Sequence, residues 1–381
     1  MPMHMENKRV RGLDITVDRG FKLRFFSDKC IRPVLKLGDC NAIMDQTLAN
    51  KLFEEGAILF VLDVPLGTEL GMDLNTWKTG EKFKGIKMIP PGIHYIYYSS
   101  IDKHGCVAPR AGFFYNFQKK DIVVLKWNAE TEEILDLCTD SEKETYRTNI
   151  YNLDPNLGPY QYETWKKWLS LSSKVSLDIL NRVCPTLKKI SADSVLAVPE
   201  ATSQQVSPST ALNFTHIPSK SYPQDSSPST ITKYSIDTSY TLGQMLSSWE
   251  KPVQLLGELQ ISFLCFLVGQ VYQAFEQWKN LLRVFCFADE IILKESSVYM
   301  ELIGDLYFQI KEVPSDMFVD IVSCENFLTQ SLRVLFENVL GNESMNVNLR
   351  KRTLKLKQYV TEKFQWDFDC EPYDEAPVVM E

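Results

Sequence analysis

Residues 255–285, LLGELQISFLCFLVGQVYQAFEQWKNLLRVF, constrain this chain more than any other stretch. Leu256, Leu259, Phe263, Phe266, Leu267, Val271, Ala274, Trp278, Leu281, Leu282 and Phe285 recur there at helical spacing. The run is not a membrane span, because its continuous apolar part, residues 263–268, is far too short, and Gln260, Ser262 and Gln270 interrupt it. A helix apolar almost all round must instead be enclosed by other helices. The chain beyond Lys233 supplies them, with helical patterns at 240–249, 298–310, 316–322, 327–340 and 345–364, punctuated by Pro252, Pro314 and Gly341. Gly269 or Gln270 is placed to split the long run into two antiparallel neighbours.

At 381 residues the chain is long enough for two or three domains whose cores need no metal or disulfide. Its net charge of -8 disfavours a large phosphate-tracking surface, so direct nucleic-acid binding is not expected. Nine cysteines occur singly with no CxxC pair, and Cys265 and Cys286 sit inside apolar helical patterns, a usage that suits a reducing compartment.

Residues 1–43 form a basic extension expected to be disordered, carrying Lys8, Arg9, Arg11, Arg19 and Lys22 among others and no apolar region long enough for a signal peptide. A transit peptide is an alternative, weakened by Glu6, Asp14, Asp18 and Asp28; a start at Met44 is another. A β-rich domain is predicted over 44–160. It opens with a short helix capped by Asp45 and ended by Gly56, followed by a strand at 57–64 buried on both faces. Further strands are expected at 86–89, 93–99, 113–118, 122–127 and 133–137. With no helical pattern between them, antiparallel pairing in a sandwich or meander is favoured. A helical connection follows over 161–198, with Trp165, Trp168, Ile179, Leu180 and Val183 on one face. Residues 199–230 hold 17 Ser, Thr or Pro in 32 positions and little to bury, which predicts a flexible linker. An all-helical domain over 231–368 and an extended acidic tail over 369–381 complete an α+β chain.

Catalytic signatures are missing: no GxSxG, GxxxxGK[ST], HExxH or post-strand GxGxxG occurs. Residues 80–85, GEKFKG, put an acid and bulky side chains where amides would have to cradle a phosphate, so they read as a surface turn. His94, His104 and Cys106 fall near one another but lack a fourth zinc ligand. Tyr95, Tyr97, Tyr98, Phe113, Phe114, Tyr115 and Phe117 could stack on single-stranded RNA, but no basic groove accompanies them and packing between paired strands explains them better. The basic run at 349–357, LRKRTLKLK, lies on a helix whose Leu349, Leu356, Val360 and Phe364 form one apolar stripe, leaving its cations to solvent or to an interaction patch.

Two features favour regulated protein binding. Ser207 and Ser227 each precede proline in the linker, the context that proline-directed kinases use, and each phosphate would add up to about two negative charges. Ala376, Pro377, Val378, Val379 and Met380 make a short β-prone segment beside acids, able to add a strand to a partner's sheet edge.

KMIPPGIHYIYYSS (87–100), ITKYSIDTSYTL (231–242), LLGELQISFLCFLVGQVYQAFEQWKNLL (255–282), VPSDMFVDIV (313–322) and KFQWDF with the APVV tail resemble the AAR-two family of splicing factors. The resemblance is collinear from about residue 44 to 381 and leaves 1–43 outside. It implies a non-enzymatic assembly chaperone of the U-five small nuclear ribonucleoprotein and of the tri-snRNP, with no catalytic residues and no cofactor. Family members bind the spliceosomal scaffold Prp-eight through its ribonuclease-H-like and Jab/MPN domains, block premature binding of helicase and RNA, and leave on phosphorylation. The implied fold is a β-rich N-terminal domain, a linker, a helical domain of VHS type, and a tail that pairs with the partner as a strand. Localisation in cytoplasm and nucleus, no membrane contact, and a monomer outside the complex are the matching expectations. A rival reading, a general helical-repeat scaffold, rests on VYQAFEQWKNLL, which looks like one tetratricopeptide helix; no second copy appears at a period of about 34 residues.

Overall fold

The computed structural model describes residues 15–16, 22–23, 46–101, 106–185, 189–192, 212–314 and 326–369. Within the basic extension, β1 (Ile15–Thr16) pairs antiparallel with β2 (Lys22–Leu23). Helix α1 (Gln46–Glu55) then leads into β3 (Ala57–Leu62), a strand apolar at every position and buried on both faces, as its composition predicts. The expected cap at Asp45 and the expected helix at 316–322 lie outside the described residues.

After β3 come the hairpin β4 (Glu69–Met72) and β5 (Asn75–Lys78), then β6 (Gly85–Ile89), β7 (Gly92–Ser99), β8 (Ala111–Phe117), β9 (Ile122–Asn128) and β10 (Glu133–Leu135). Two short helices, α2 (Asp140–Thr148) and α3 (Ile150–Leu153), precede β11 (Leu157–Pro159). Helices α4 (Tyr162–Ser172) and α5 (Leu177–Val183) and the strand β12 (Ile190–Ser191) complete the first half.

The strands form two five-stranded sheets, in the orders β10-β9-β3-β6-β11 and β12-β8-β7-β4-β5. Leu59, Val61, Ile86 and Trp127 of the first pack against Leu70, Met72, Ile96 and Phe117 of the second in one core. This is the expected sandwich, with one correction to its pairing. β3 runs parallel to β9, and β6 runs parallel to β11. No helical crossover joins β3 to β9; the chain passes through the opposite sheet and returns, a route that strand spacing does not reveal. The outer face of the first sheet is a separate small core in which Ile58, Phe60 and Val124 lie under Tyr146, Ile150 and Leu153.

The second half is helical: α6 (Pro228–Ile236), α7 (Ser239–Ser247), α8 (Gln254–Leu267), α9 (Tyr272–Cys286), α10 (Glu290–Lys294), α11 (Ser296–Glu312), α12 (Phe327–Leu340) and α13 (Val347–Phe364). The run that dominates the sequence is split as its residues foretell. α8 stops, Gln270 takes a left-handed φ of 59°, and the amides of Gln270 and Val271 return to the carbonyls of Phe266 and Cys265 before α9 begins. Every residue of α8 from Leu255 through Phe266 is buried, enclosed by α4, α5, α9 and α11. Among the described residues, no helix is long and apolar enough to cross a membrane.

Candidate protein-interaction surfaces and the seam that positions them

A buried polar network ties the sandwich together where it meets the helices. Asp73 turns the β4–β5 hairpin with φ of 56°, and its side chain points inward. Its Oδ1 accepts the Tyr95 amide at 3.0 Å, and its Oδ2 accepts the Tyr160 hydroxyl at 2.7 Å. Oδ2 also lies 2.6 Å from Nδ1 of buried His94, whose Nε2 is 2.8 Å from the Pro90 carbonyl. A carbonyl only accepts, so Nε2 carries a hydrogen and donates it to Pro90. Burial first, then the Asp73 carboxylate, push the Tyr160 phenol far above its ordinary range. The His94 ring stacks at 14° on Trp168 of α4, whose indole donates to the Ile93 carbonyl at 2.8 Å. An Asp–His pair sealed this way cannot meet a substrate; it locks β7 and α4 together. Of the other candidate ligands, His104 lies outside the described residues and Cys106 is exposed in a loop. Among the described residues, no group of three or more His, Cys, Asp or Glu is placed to hold a metal ion.

The aromatic strand residues pack rather than form a platform. Tyr95 meets its cross-strand partner Phe114 at 4.7 Å, and Tyr95 and Tyr97 belong to the core of the helical half. Arg110 lies over the Tyr97 ring at 4.9 Å and donates to the Val268 carbonyl at 2.8 Å. A Cβ on Gly269 would lie 2.8 Å from the Tyr95 hydroxyl, so the α8–α9 turn meets the sheet only through a glycine.

Further along the seam, Lys174 after α4 reaches Asp305 of α11 at 2.7 Å and Glu301 at 3.1 Å. Gln260 of α8 accepts the Lys174 amide at 2.8 Å and donates to Asp305 at 3.0 Å. Burial raises the Asp305 carboxyl to about 6, an effect that Lys174 opposes, and its second oxygen has no hydrogen-bond partner among the described residues.

Part of the predicted linker is not free chain. Leu212 is buried, with Phe214 and Ile217 packed against the same core. The Asn213 amide donates to the Val183 carbonyl at 2.7 Å. Glu258 of α8, wholly buried, accepts the Thr215 amide at 2.9 Å, the Thr215 hydroxyl at 2.6 Å and the Gln277 side chain at 2.9 Å. The expectation of little to bury over 199–230 is therefore corrected for 212–217, where Leu212, Phe214, Ile217 and one carboxylate hold the chain against α8 and α9. Burial raises the Glu258 carboxyl despite these bonds.

Ser227 is exposed and caps α6, its Oγ accepting the Thr230 amide at 3.3 Å, with Pro228 at the first helical position. Ser207 lies outside the described residues, as do Ala376, Pro377, Val378, Val379 and Met380. On α13, Leu349, Leu356 and Val360 are buried while Lys351, Arg352 and Lys355 are exposed, which is the stripe and basic face expected of LRKRTLKLK. Beside that face lies an open groove of about 390 Å³ between α11 and α13, floored by Ile303 and Leu356. The rings of Tyr307 and Tyr359 meet across it at 4.9 Å. Lys363 of α13 donates to the carbonyls of Ile310, Lys311 and Val313 at the C-terminus of α11.

Two family regions match this chain. Residues 55–185 match the AAR2 N-terminal domain, and residues 214–369 match the AAR2 C-terminal repeat region. The chain belongs to the AAR2 family. It is 41% identical over 372 residues to a Protein AAR2 homolog of Macaca fascicularis, covering 89% of this chain and 97% of that relative. The corresponding human protein is 40% identical over the same shares, and that of Caenorhabditis elegans is 35% identical over 85% of this chain and 98% of its own length. The AAR2 C-terminal match begins at residue 214, inside the segment that Glu258 clamps, so the docked part of the linker belongs with the helical domain. The clamp and the Asp73–His94 pair escape sequence reasoning because each joins residues remote in the chain; the clustering of Leu212, Phe214 and Ile217 within a polar segment was the available signal.

Proposed function

We propose that this protein is a non-enzymatic assembly chaperone in pre-mRNA splicing. In this reading it binds the Prp-eight scaffold, through the ribonuclease-H-like and Jab/MPN domains, while the U-five small nuclear ribonucleoprotein matures and the tri-snRNP assembles. Membership of the AAR2 family across both folded halves carries the proposal, and a splicing-related function follows from that membership. The architecture is compatible: its most enzyme-like pair, Asp73 and His94, is a buried structural lock, whereas α13 presents an exposed basic face at the surface. Monomeric behaviour outside the complex and residence in cytoplasm and nucleus belong to the same reading, as does control by phosphorylation.

Copurification tests it. Tagged full chain from nuclear and cytosolic extracts should capture the scaffold and U-five proteins, and absence of the scaffold from both would sink the assignment. Truncation after Glu375 should weaken capture if Ala376, Pro377, Val378, Val379 and Met380 add a strand to the partner; undiminished capture removes that role. Ser207→Glu and Ser227→Glu variants ask whether either serine controls release, and unchanged capture by both would exclude them from the switch.

A further inference from the structure

We propose that residues 370–381, the chain's own C-terminal segment, dock in the groove between α11 and α13 and so hold the tail back from other surfaces. The proposal goes beyond the Prp-eight reading and stands whichever partner the protein serves.

The direction of the chain is the first support. Gln365 leaves α13 in a left-handed conformation with φ of 59°. Trp366 then stacks on Phe364 at 4.4 Å, Phe368 packs on Phe336 at 5.1 Å, and the Asp369 carboxylate pairs with Lys357. The chain has therefore reversed and runs back along α13 toward its N-terminal half, where Lys355 and Arg352 lie within about one and a half turns of Lys357.

Reach and complementarity supply the rest. Twelve extended residues span about 40 Å, while a helix with its side chains is only about 10–12 Å across, so crossing α13 into the groove is easily within range. Leu354, 54% exposed, lies on that path as an apolar side chain without cover. The segment CEPYDEAPVVME has four acidic side chains and no Lys or Arg. Asp374 and Glu375 come first and meet exposed Arg352 and Lys355; Val378 and Val379 follow onto the apolar lining beside the touching rings of Tyr307 and Tyr359. Because the tail is tethered, an effective concentration in the millimolar range lets a weak contact fill the groove.

Hydrogen exchange on the full chain tests this, with the free peptide CEPYDEAPVVME as reference. Tail amides should exchange at least about tenfold more slowly in the protein than in the peptide, at every protein concentration. Protection should vanish in R352E/K355E, whose positions are exposed and whose helicity should be unchanged by circular dichroism. Adding D374K/E375K to that variant should restore it. Peptide-like exchange in the wild-type chain overturns the proposal, as does protection indifferent to the charge reversals. Protection that grows with protein concentration overturns it too, because the occupant would then be a second copy.

Discussion

Oδ2 of Asp73 lies 2.6 Å from Nδ1 of His94, with both side chains buried between the sandwich and α4. Removing either partner takes away one buried polar contact, while Asp73 keeps Tyr95 and Tyr160 and His94 keeps the Pro90 carbonyl, a loss of about 1–3 kcal/mol. Asp73→Ala and His94→Ala should each destabilise by that order in urea unfolding. The double variant should cost clearly less than the sum; strictly additive costs would show that the pair is not coupled.

Asp305 should make stability depend on pH. Its folded carboxyl is raised from 3.8 to about 6 by burial, so the native state holds the proton more tightly than the unfolded chain does. The resulting stabilisation is complete below pH 3.8 and is lost as pH rises through 6. Its span is at most about 3 kcal/mol. Unfolding free energies of wild type and Asp305→Asn, compared from pH 4 to pH 7.5, should differ by a term that changes with this sign across that window. A difference constant with pH would contradict it.

Gly257→Ala tests a close approach. Alanine is the better helix former by about 1 kcal/mol, yet a Cβ here would sit 2.6 Å from the Lys174 carbonyl oxygen and 2.4 Å from Ile179. The contact is largely with backbone, so the connection between α4 and α5 must move away from α8. Thermal unfolding should show net destabilisation of about 1–3 kcal/mol; a rise in Tm would mean that the connection yields freely.

Glu258→Ala should release residues 212–217, since one carboxylate holds an amide, a hydroxyl and a glutamine there. The expected cost is about 2–3 kcal/mol. Limited proteolysis should show faster cleavage near 212–220 than in wild type, with Glu258→Gln intermediate. Equal cleavage rates would mean that Leu212, Phe214 and Ile217 hold the segment without the clamp.

Local patterns made much of this fold legible. β3, β6, β7, β8 and β9 follow from alternation or continuous apolarity, and the break at Gln270 follows from the chemistry of 255–285. The β4–β5 hairpin went unread although Leu70, Met72 and Trp77 are buried, because each strand has four residues and the turn signal is one aspartate at positive φ. Counting Ser, Thr and Pro over 199–230 averaged away three closely spaced apolar residues at 212–217. Lys174 with Asp305 and Asp73 with His94 are pairings across tertiary space, where spacing along the chain carries no information.

The parallel ladders set an order of events during synthesis. β3 leaves the ribosome early, but one of its two neighbours, β9, arrives only after the whole opposite sheet except β12 has been made. β6 then waits for Leu157, Gly158 and Pro159 before its second edge is covered. Long-range closure of this kind is slow, and unpaired strand edges invite pairing with other chains. A nascent chain stalled before Leu157 would expose the Gly85–Ile89 edge, so this half of the protein is expected to need escort during translation until α4 has emerged.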